Sequence, residues 1–339
     1  MSTTPVAVIG AGSFGTCLAL HCARDDEGRV SLWARNPDLA DAINREHRNP
    51  RYLRDLEIPE RVRATSDLEE ALEGVELVIC AVPSHGLRDV MRRAAPFLPP
   101  GAMLLSTVKG IEHETGKTMH GVLEDVLAPA HHPRIVCLSG PSFAAEIARR
   151  KPTVVTVACR EEGYAIAVQT ILSCPWFRCY SNTDVVGVEL GGALKNVVAI
   201  ATGICDGMDM GLNARAALMT RGLAEITRLG VQLGAKPTTF LGLSGMGDLL
   251  LTCTGDLSRN RRVGLALGEG RKLDDIVRDL GEVAEGVRTT RAACRLAAKV
   301  GIEMPIAETV RQILDGEITP PRAVGALMTR QLGSEQVDA

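Results

Sequence analysis

This 339-residue chain has little net charge. Its 38 Lys and Arg and 41 Asp and Glu are interspersed, for a net charge of −3. There is no basic stripe to follow a phosphate backbone and no polybasic patch for an anionic bilayer, so no nucleic acid or membrane partner is expected. The apolar runs do not read as membrane spans either. The longest, about 185–204, contains Glu189 and Lys195, which marks a buried helix rather than a membrane span. The opening Met-Ser-Thr-Thr-Pro has neither a basic n-region nor an apolar h-region, so a cytoplasmic chain without a secretion signal is expected. Ten cysteines occur without any C-x-x-C or a Cys/His cluster at zinc spacing. Half of them lie in apolar runs (Cys17, Cys80, Cys137, Cys159, Cys205), which predicts buried reduced thiols and no metal site. Lysine is scarce, seven against 31 arginines, and no histidine follows His132. An acid–base group in the second half must therefore be something other than histidine.

What is present is a two-part pattern, in a chain long enough for two domains. Short apolar strands are predicted at 5–9, 29–33, 61–64, 76–82, 102–107, 134–138, 153–159 and 177–180, alternating with helical segments. This is the rhythm of a doubly wound, mainly parallel sheet of Rossmann-like α/β type. From about residue 184 the pattern is almost all helical, interrupted by Gly-rich stretches at 203–211, 242–247 and 268–270 that read as turns. The expected domains are 1–183, binding a nucleotide, and 184–332, all helical, with a ligand cleft between them outside the carboxyl ends of the strands.

Residues 6–16 carry the strongest local signal. Val6–Ile9 form an apolar strand, Gly10, Gly12 and Gly15 follow at G-x-G-x-x-G spacing, and an apolar helical segment comes next. Gly10 permits a tight turn, Gly12 lets a pyrophosphate approach the backbone, and Gly15 allows close helix–sheet packing. The N–H groups of the helix start then face the phosphates. A ribose 2′-hydroxyl is read at the end of the second strand, where NAD-selective sites carry Asp or Glu. Here the sequence is Trp33-Ala34-Arg35-Asn36. Arg35 suits a 2′-phosphate, so NADP(H), or both NADP(H) and NAD(H), is the expected cofactor. A solvated arginine after a strand is the competing explanation.

Six further segments carry chemistry. Lys109 stands just past a strand end, in Ser106-Thr107-Val108-Lys109-Gly110, where an ordinary loop lysine is the alternative. Ser139-Gly140-Pro141-Ser142-Phe143 runs from strand through a Gly turn to a helix start, a serviceable anion site. Lys195 lies in the apolar helix segment Gly191–Val198, with Glu189 on another face. A desolvated ammonium loses basicity and can act as a base near neutral pH, whereas a snorkelling lysine would not. Ser244-Gly245-Met246-Gly247-Asp248 puts a carboxylate at a helix entry, to cap it or to pair with Lys195. Ser258-Arg259-Asn260 groups a hydroxyl, a guanidinium and an amide, apt for a phosphate or simply a basic face. Val283-Ala284-Glu285-Gly286 offers one more carboxylate in a turn.

Taken together, GxGxxGT at 10–16, STVKGI at 106–111, SGPSFA at 139–144, GALKN at 192–196, SGMGDLLLTC at 244–253, SRN at 258–260 and VAEGV at 283–287 resemble the NAD(P)-dependent glycerol-3-phosphate dehydrogenases of bacterial type. The resemblance spans nearly the whole chain. It implies that Ser13, Phe14, Arg35, Ala144, Val283 and Glu285 contact the cofactor, and that Lys109 and Arg259 contact both cofactor and substrate. It implies that Gly140, Ser142, Asp248, Ser258 and Asn260 line the phosphorylated substrate, and that Lys195 is the proton acceptor. The implied role links dihydroxyacetone phosphate to phospholipid precursors. Two other readings stay open on sequence: a β-hydroxyacid or ketopantoate-type reductase, and an NADP(H) sensor without turnover. A homodimer paired through the helical domain is a further possibility.

Overall fold

The computed structural model of the chain describes residues 4–25, 28–280 and 284–331. They fall into two compact units. The first takes the chain up to Val108 and then Met119–Val185; the second takes Lys109–Thr118 and the chain from Val186 onward.

In the first unit the apolar runs become β1 (Val6–Ile9), β2 (Val30–Trp33), β3 (Val62–Thr65), β4 (Leu77–Cys80), β5 (Met103–Ser106), β6 (Ile135–Ser139), β7 (Thr153–Ala158) and β8 (Phe177–Asn182). They form one sheet in the order β3-β2-β1-β4-β5-β6-β7-β8. Every neighbouring pair is parallel except β6 with β7. The connecting helices are α1 (Ser13–Cys22), α2 (Pro37–Glu46), α3 (Leu68–Leu72), α4 (Leu87–Ala94), α5 (Met119–Val126), α6 (Ala144–Ala148) and α7 (Glu162–Leu172). Side chains alternate across each strand, so both faces of the sheet bury apolar groups. Val6, Val8, Leu77 and Ile79 join one core cluster, while Ala7, Ile9, Val78 and Cys80 join the other. That two-sided burial is why these strands read as continuous apolar runs.

The second unit contains α8 (Val185–Gly207), α9 (Gly211–Gln232), α10 (Pro237–Phe240), α11 (Asp248–Thr254), α12 (Arg259–Gly268), α13 (Leu273–Leu280), α14 (Glu285–Lys299), α15 (Pro305–Leu314) and α16 (Pro320–Met328). One apolar cluster runs through it. Helix α8 is long and apolar enough to cross a membrane, but 94% of its apolar window is buried inside the protein. It is the core helix of this unit.

Leu243–Gly247, expected as a turn, is one π-helical turn leading into α11, and two larger differences from the sequence expectation concern the packing of this unit. Gly203 and Gly207 do not form a turn: both lie within α8, facing Gly264 and Gly268 of α12. A Cβ on Gly203 would fall 2.1 Å from the Arg261 carbonyl oxygen, and one on Gly264 would fall 2.1 Å from that of Ile200. Tertiary contact has overridden the poor helix propensity of glycine. The second difference is the segment Lys109–Thr118, which leaves the nucleotide-domain half of the chain to join the helical unit. Ile111 sits in the helical core, and Ile111 and Thr118 form an antiparallel bridge. The segment also brings a histidine into that unit. His113 is exposed, and its carbonyl oxygen and ring nitrogen both engage Arg295 of α14.

The glycine contact makes a direct prediction. Gly264→Ala should destabilise the protein by about 1–3 kcal/mol through overpacking, seen as a lowered thermal midpoint. Gly325→Ala, in α16 where a Cβ meets nothing within 4 Å, should not lower it. Equal midpoints for the two variants would refute the backbone contact.

Candidate active site

The first unit gathers its predicted residues after the carboxyl ends of β1, β2 and β6. Strand β1 lies between β2 and β4, where the direction of strand addition reverses, the position at which open α/β sheets bind ligands. Gly10 has φ +119°, and a Cβ there would fall 2.6 Å from the Ala81 oxygen. A Cβ on Gly15 would fall 1.7 Å from the Gly10 oxygen. Both glycines are thus demanded by packing. Gly12 is different, because a Cβ there would meet nothing within 4 Å. Gly12 also caps α1 with no side-chain hydrogen bond, ahead of half-buried Ser13 and Phe14. An open approach and a helix N-terminus without a capping side chain fit a dinucleotide pyrophosphate. Arg35 is exposed two residues beyond β2.

After β6, Gly140 has φ +138°, and a Cβ there would press on the Val155 Cα at 3.0 Å. Ser142 stands near the start of α6, as expected, but is not its cap. Helix α6 begins at Ala144 with Phe143 as its cap, and the Ser142 hydroxyl donates to the Gly140 carbonyl at 2.8 Å. A cavity of about 740 Å³ in the first unit opens instead at the amino ends of β4 and β5, against Val75, Glu76 and Tyr164. It holds none of the residues above.

The second unit assembles a charged cluster around Asp248, the first residue of α11 and 1% exposed. Its Oδ2 accepts from the Lys109 ammonium at 2.7 Å. Its Oδ1 accepts from the Lys195 ammonium, which also donates to Thr252 Oγ1 at 2.9 Å. Thr252 Oγ1 in turn donates to the Asp248 carbonyl at 2.6 Å. Asp248 therefore pairs with lysine rather than capping its helix. Burial pulls the Lys195 pKa down; Asp248 opposes that and Lys109 adds to it, leaving about 8. The pull of burial is the larger effect, so a neutral amine is accessible near physiological pH.

Beside this cluster two buried amides meet. Asn260 Nδ2 donates to Asn196 Oδ1 at 2.8 Å, and Asn260 Oδ1 accepts from the Gly286 N–H at 2.9 Å. Ser258 is the N-cap of α12, its oxygen taken by the Arg261 N–H at 3.2 Å. Arg259 is exposed at the first helical position, and half-buried Glu285 begins α14. Val283 lies outside the described residues.

Thr252 was not singled out from sequence. The signal was available, since Thr252 follows Asp248 by four residues and so shares its helix face. Arg295, which ties down the segment carrying Lys109, had no such signal.

Two family models match the chain: the N-terminus of NAD-dependent glycerol-3-phosphate dehydrogenase over residues 5–165 and its C-terminus over 184–325. The chain is 55% identical over 329 residues to a Myxococcus xanthus protein named as an NAD(P)+ glycerol-3-phosphate dehydrogenase, covering 97% of this chain and 98% of that one. It is similar to the crystal structure of glycerol-3-phosphate dehydrogenase from Coxiella burnetii, with a TM-score of 0.91 at 40% identity over 96% and 99% of the two chains. A ketopantoate reductase from Ralstonia eutropha is alike in fold alone, with a TM-score of 0.60 at 17% identity over 94% and 99%.

The charge cluster is open to a direct test. Because Asp248 holds the Lys195 pKa up, Asp248→Asn should move it below about 8. Titration of labelled lysine side chains by NMR reads this. An unchanged or raised value would mean that the two groups are not coupled.

Proposed function

This chain belongs to the NAD-dependent glycerol-3-phosphate dehydrogenase family, and we propose that Lys195, Asp248 and Lys109 carry out its proton chemistry. It is an oxidoreductase that interconverts sn-glycerol 3-phosphate and dihydroxyacetone phosphate with NAD(P)(H). The bound nicotinamide supplies a hydride acceptor or donor for C2 of the substrate. The protein must handle the proton. In the oxidising direction neutral Lys195 takes the proton of the C2 hydroxyl; in the reducing direction its ammonium returns one to the C2 oxygen. The observation that carries this assignment is the burial of Lys195 between Asp248 and Thr252, with its pKa at about 8.

Asp248 aims the Lys195 amine and balances only one of two nearby ammoniums. When Lys195 is protonated the cluster is net positive, which favours the developing charge on the C2 oxygen. Lys109 and Asn196 polarise that oxygen. Arg259 and Asn260 hold the phosphate, with Gly140, Ser142 and Ser258 lining the substrate, so that orientation is set before reaction. Gly10, Gly12, Ser13, Phe14, Gly15, Arg35, Ala144, Val283 and Glu285 hold the cofactor, which Lys109 and Arg259 also touch. We assign 1–183 to the nucleotide and 184–332 to substrate and catalysis, a division that lies close to the boundary of the two compact units at Val185, with Lys109–Thr118 belonging to the second. Arg35 favours NADP(H) through its 2′-phosphate. We also assign the protein to the cytoplasm, its product to glycerophospholipid synthesis, and its assembly to a homodimer through the helical domain. A ketopantoate-type reaction gains nothing from likeness at 17% identity, and its substrates lack the phosphomonoester that Arg259 and Asn260 would bind.

Lys195→Met should lower kcat by at least about a hundredfold while leaving NADPH affinity nearly unchanged. Wild-type kcat in the purified variant would remove the base. The pH dependence has opposite signs in the two directions. Oxidation needs the amine, so its kcat should rise with pH and level off above about 8; reduction needs the ammonium and should fall above about 8. Arg35→Asp should raise KM for NADPH about tenfold and leave that for NADH little changed. Equal effects on both cofactors would withdraw the 2′-phosphate contact.

A further inference from the structure

The geometry points to Asn49 as a positioning residue for cofactor binding, a role that rests on the glycine turn after β1 taking the pyrophosphate. Asn49 lies in the connection between α2 and β3 and has no exposed surface. Its Nδ2 donates to the Ala11 carbonyl at 3.0 Å and to Thr16 Oγ1 at 2.8 Å. Its Oδ1 accepts from the N–H groups of Arg51 at 3.0 Å and Tyr52 at 3.1 Å. A primary amide has two donor hydrogens and an oxygen with two lone pairs, so this side chain is fully committed. An amide buried without those partners would be costly, which makes the arrangement specific to asparagine.

The consequence concerns one peptide plane. The Ala11 carbonyl and the Gly12 N–H belong to the same planar trans unit and point in opposite directions. Holding the carbonyl on Asn49 turns the Gly12 N–H away from the buried amide. The other face of the turn is held as well, because the Gly12 carbonyl accepts from the Thr16 N–H at 2.9 Å. Thr16, 1% exposed, is thus bonded on both its backbone and its hydroxyl. Asn49 fixes the direction of an N–H that meets a phosphate oxygen, and pre-orientation lowers the cost of binding. The brace is neutral, so it adds no negative charge near the phosphates. An aspartate in its place would accept from Arg51 and Tyr52 but would repel the Ala11 oxygen.

The test compares a dinucleotide with a fragment that has no pyrophosphate. In Asn49→Ala and Asn49→Asp, fluorescence titration should show NADPH and NADH weakened alike, by about tenfold. Adenosine 2′-monophosphate, measured by competition, should bind as to wild type, and kcat at saturating cofactor should be unchanged. Undiminished dinucleotide affinity, or an equal loss for the mononucleotide, would overturn the role. Should the Asn49 variants not fold, Thr16→Val decides the matter by the same comparison, with a smaller loss of about threefold expected for the dinucleotides alone. Gly12→Val separates the two levels of inference. If it leaves dinucleotide binding intact, the glycine turn is not the pyrophosphate site. If it weakens binding while the Asn49 variants do not, only the role of Asn49 fails.

Discussion

Helices α8 and α12 touch backbone to backbone, and the placement of the charged and amide side chains of the helical unit depends on that contact. Gly203 and Gly207 on one side meet Gly264 and Gly268 on the other, with each missing Cβ replaced by the neighbour's main chain. The separation of packed helices is normally set by the side chains at the contact; here none intervene. Helix α8 carries Lys195 and Asn196 about two turns before the contact, and α12 carries Arg259 and Asn260 at its start. Asn196 and Asn260 are bonded to each other, and the Arg261 guanidinium reaches Asp206 of α8 at 2.7 Å. A shift of one helix along the other would break both links. The spacing between Lys195 and the Arg259–Asn260 pair is therefore set by main-chain contact, which side-chain motion cannot relax.

Inside that frame the buried charge has to be kept tolerable. Two ammoniums and one carboxylate within hydrogen-bonding distance form an uneven set, and a buried charge without a partner is costly. The protein meets this in part by lowering the basicity of Lys195, so that the cluster can shed its excess proton at modest cost. The same feature suits Lys195 to the proposed proton transfer, because a group that loses and regains a proton easily is one that can exchange it with a ligand. Lys109 is the more exposed of the two lysines, at 18% of its side chain, and so retains some contact with water. Its attachment is indirect. It belongs to Lys109–Thr118, a segment anchored by Ile111 in the helical core and by Arg295 on His113.

Much of the architecture was legible because burial on both faces leaves a plain record. Strands such as Leu77–Cys80 are apolar at every position and fall between helical segments, so the sheet could be read off directly. The glycine spacing after β1 was legible for a related reason, since Gly10 and Gly15 answer to contacts within the same local turn and its neighbouring strand. What failed were features decided by distant partners. Gly203 and Gly207 have the composition of a turn, and only α12, more than fifty residues away, makes them helical contacts. Lys109–Thr118 has no periodicity to reveal that it joins the other unit. Thr252 looked like one more small residue in an apolar run, although its distance along α11 from Asp248 puts both on one face. The hydrogen bond from the Ser142 hydroxyl to the Gly140 carbonyl was not legible either, because it depends on the conformation of the Gly turn.

The two units use one device in common. In each, a buried asparagine with its oxygen and nitrogen both bonded holds main chain beside groups suited to an anion. Asn49 grips the Ala11 carbonyl in the sheet unit; Asn260 grips the Gly286 N–H in the helical unit. A charged residue could make either bond, but a carboxylate would oppose the anion and a cation would compete to bind it. A hydroxyl is shorter and cannot donate twice. An amide donates and accepts at once without net charge, so it can brace the backbone while leaving the local field to the helix N-terminus, the arginines and the lysines. That explains why polar residues with almost no exposed surface lie so near charged sites: their bonding capacity fixes geometry, and their neutrality leaves the electrostatics to others.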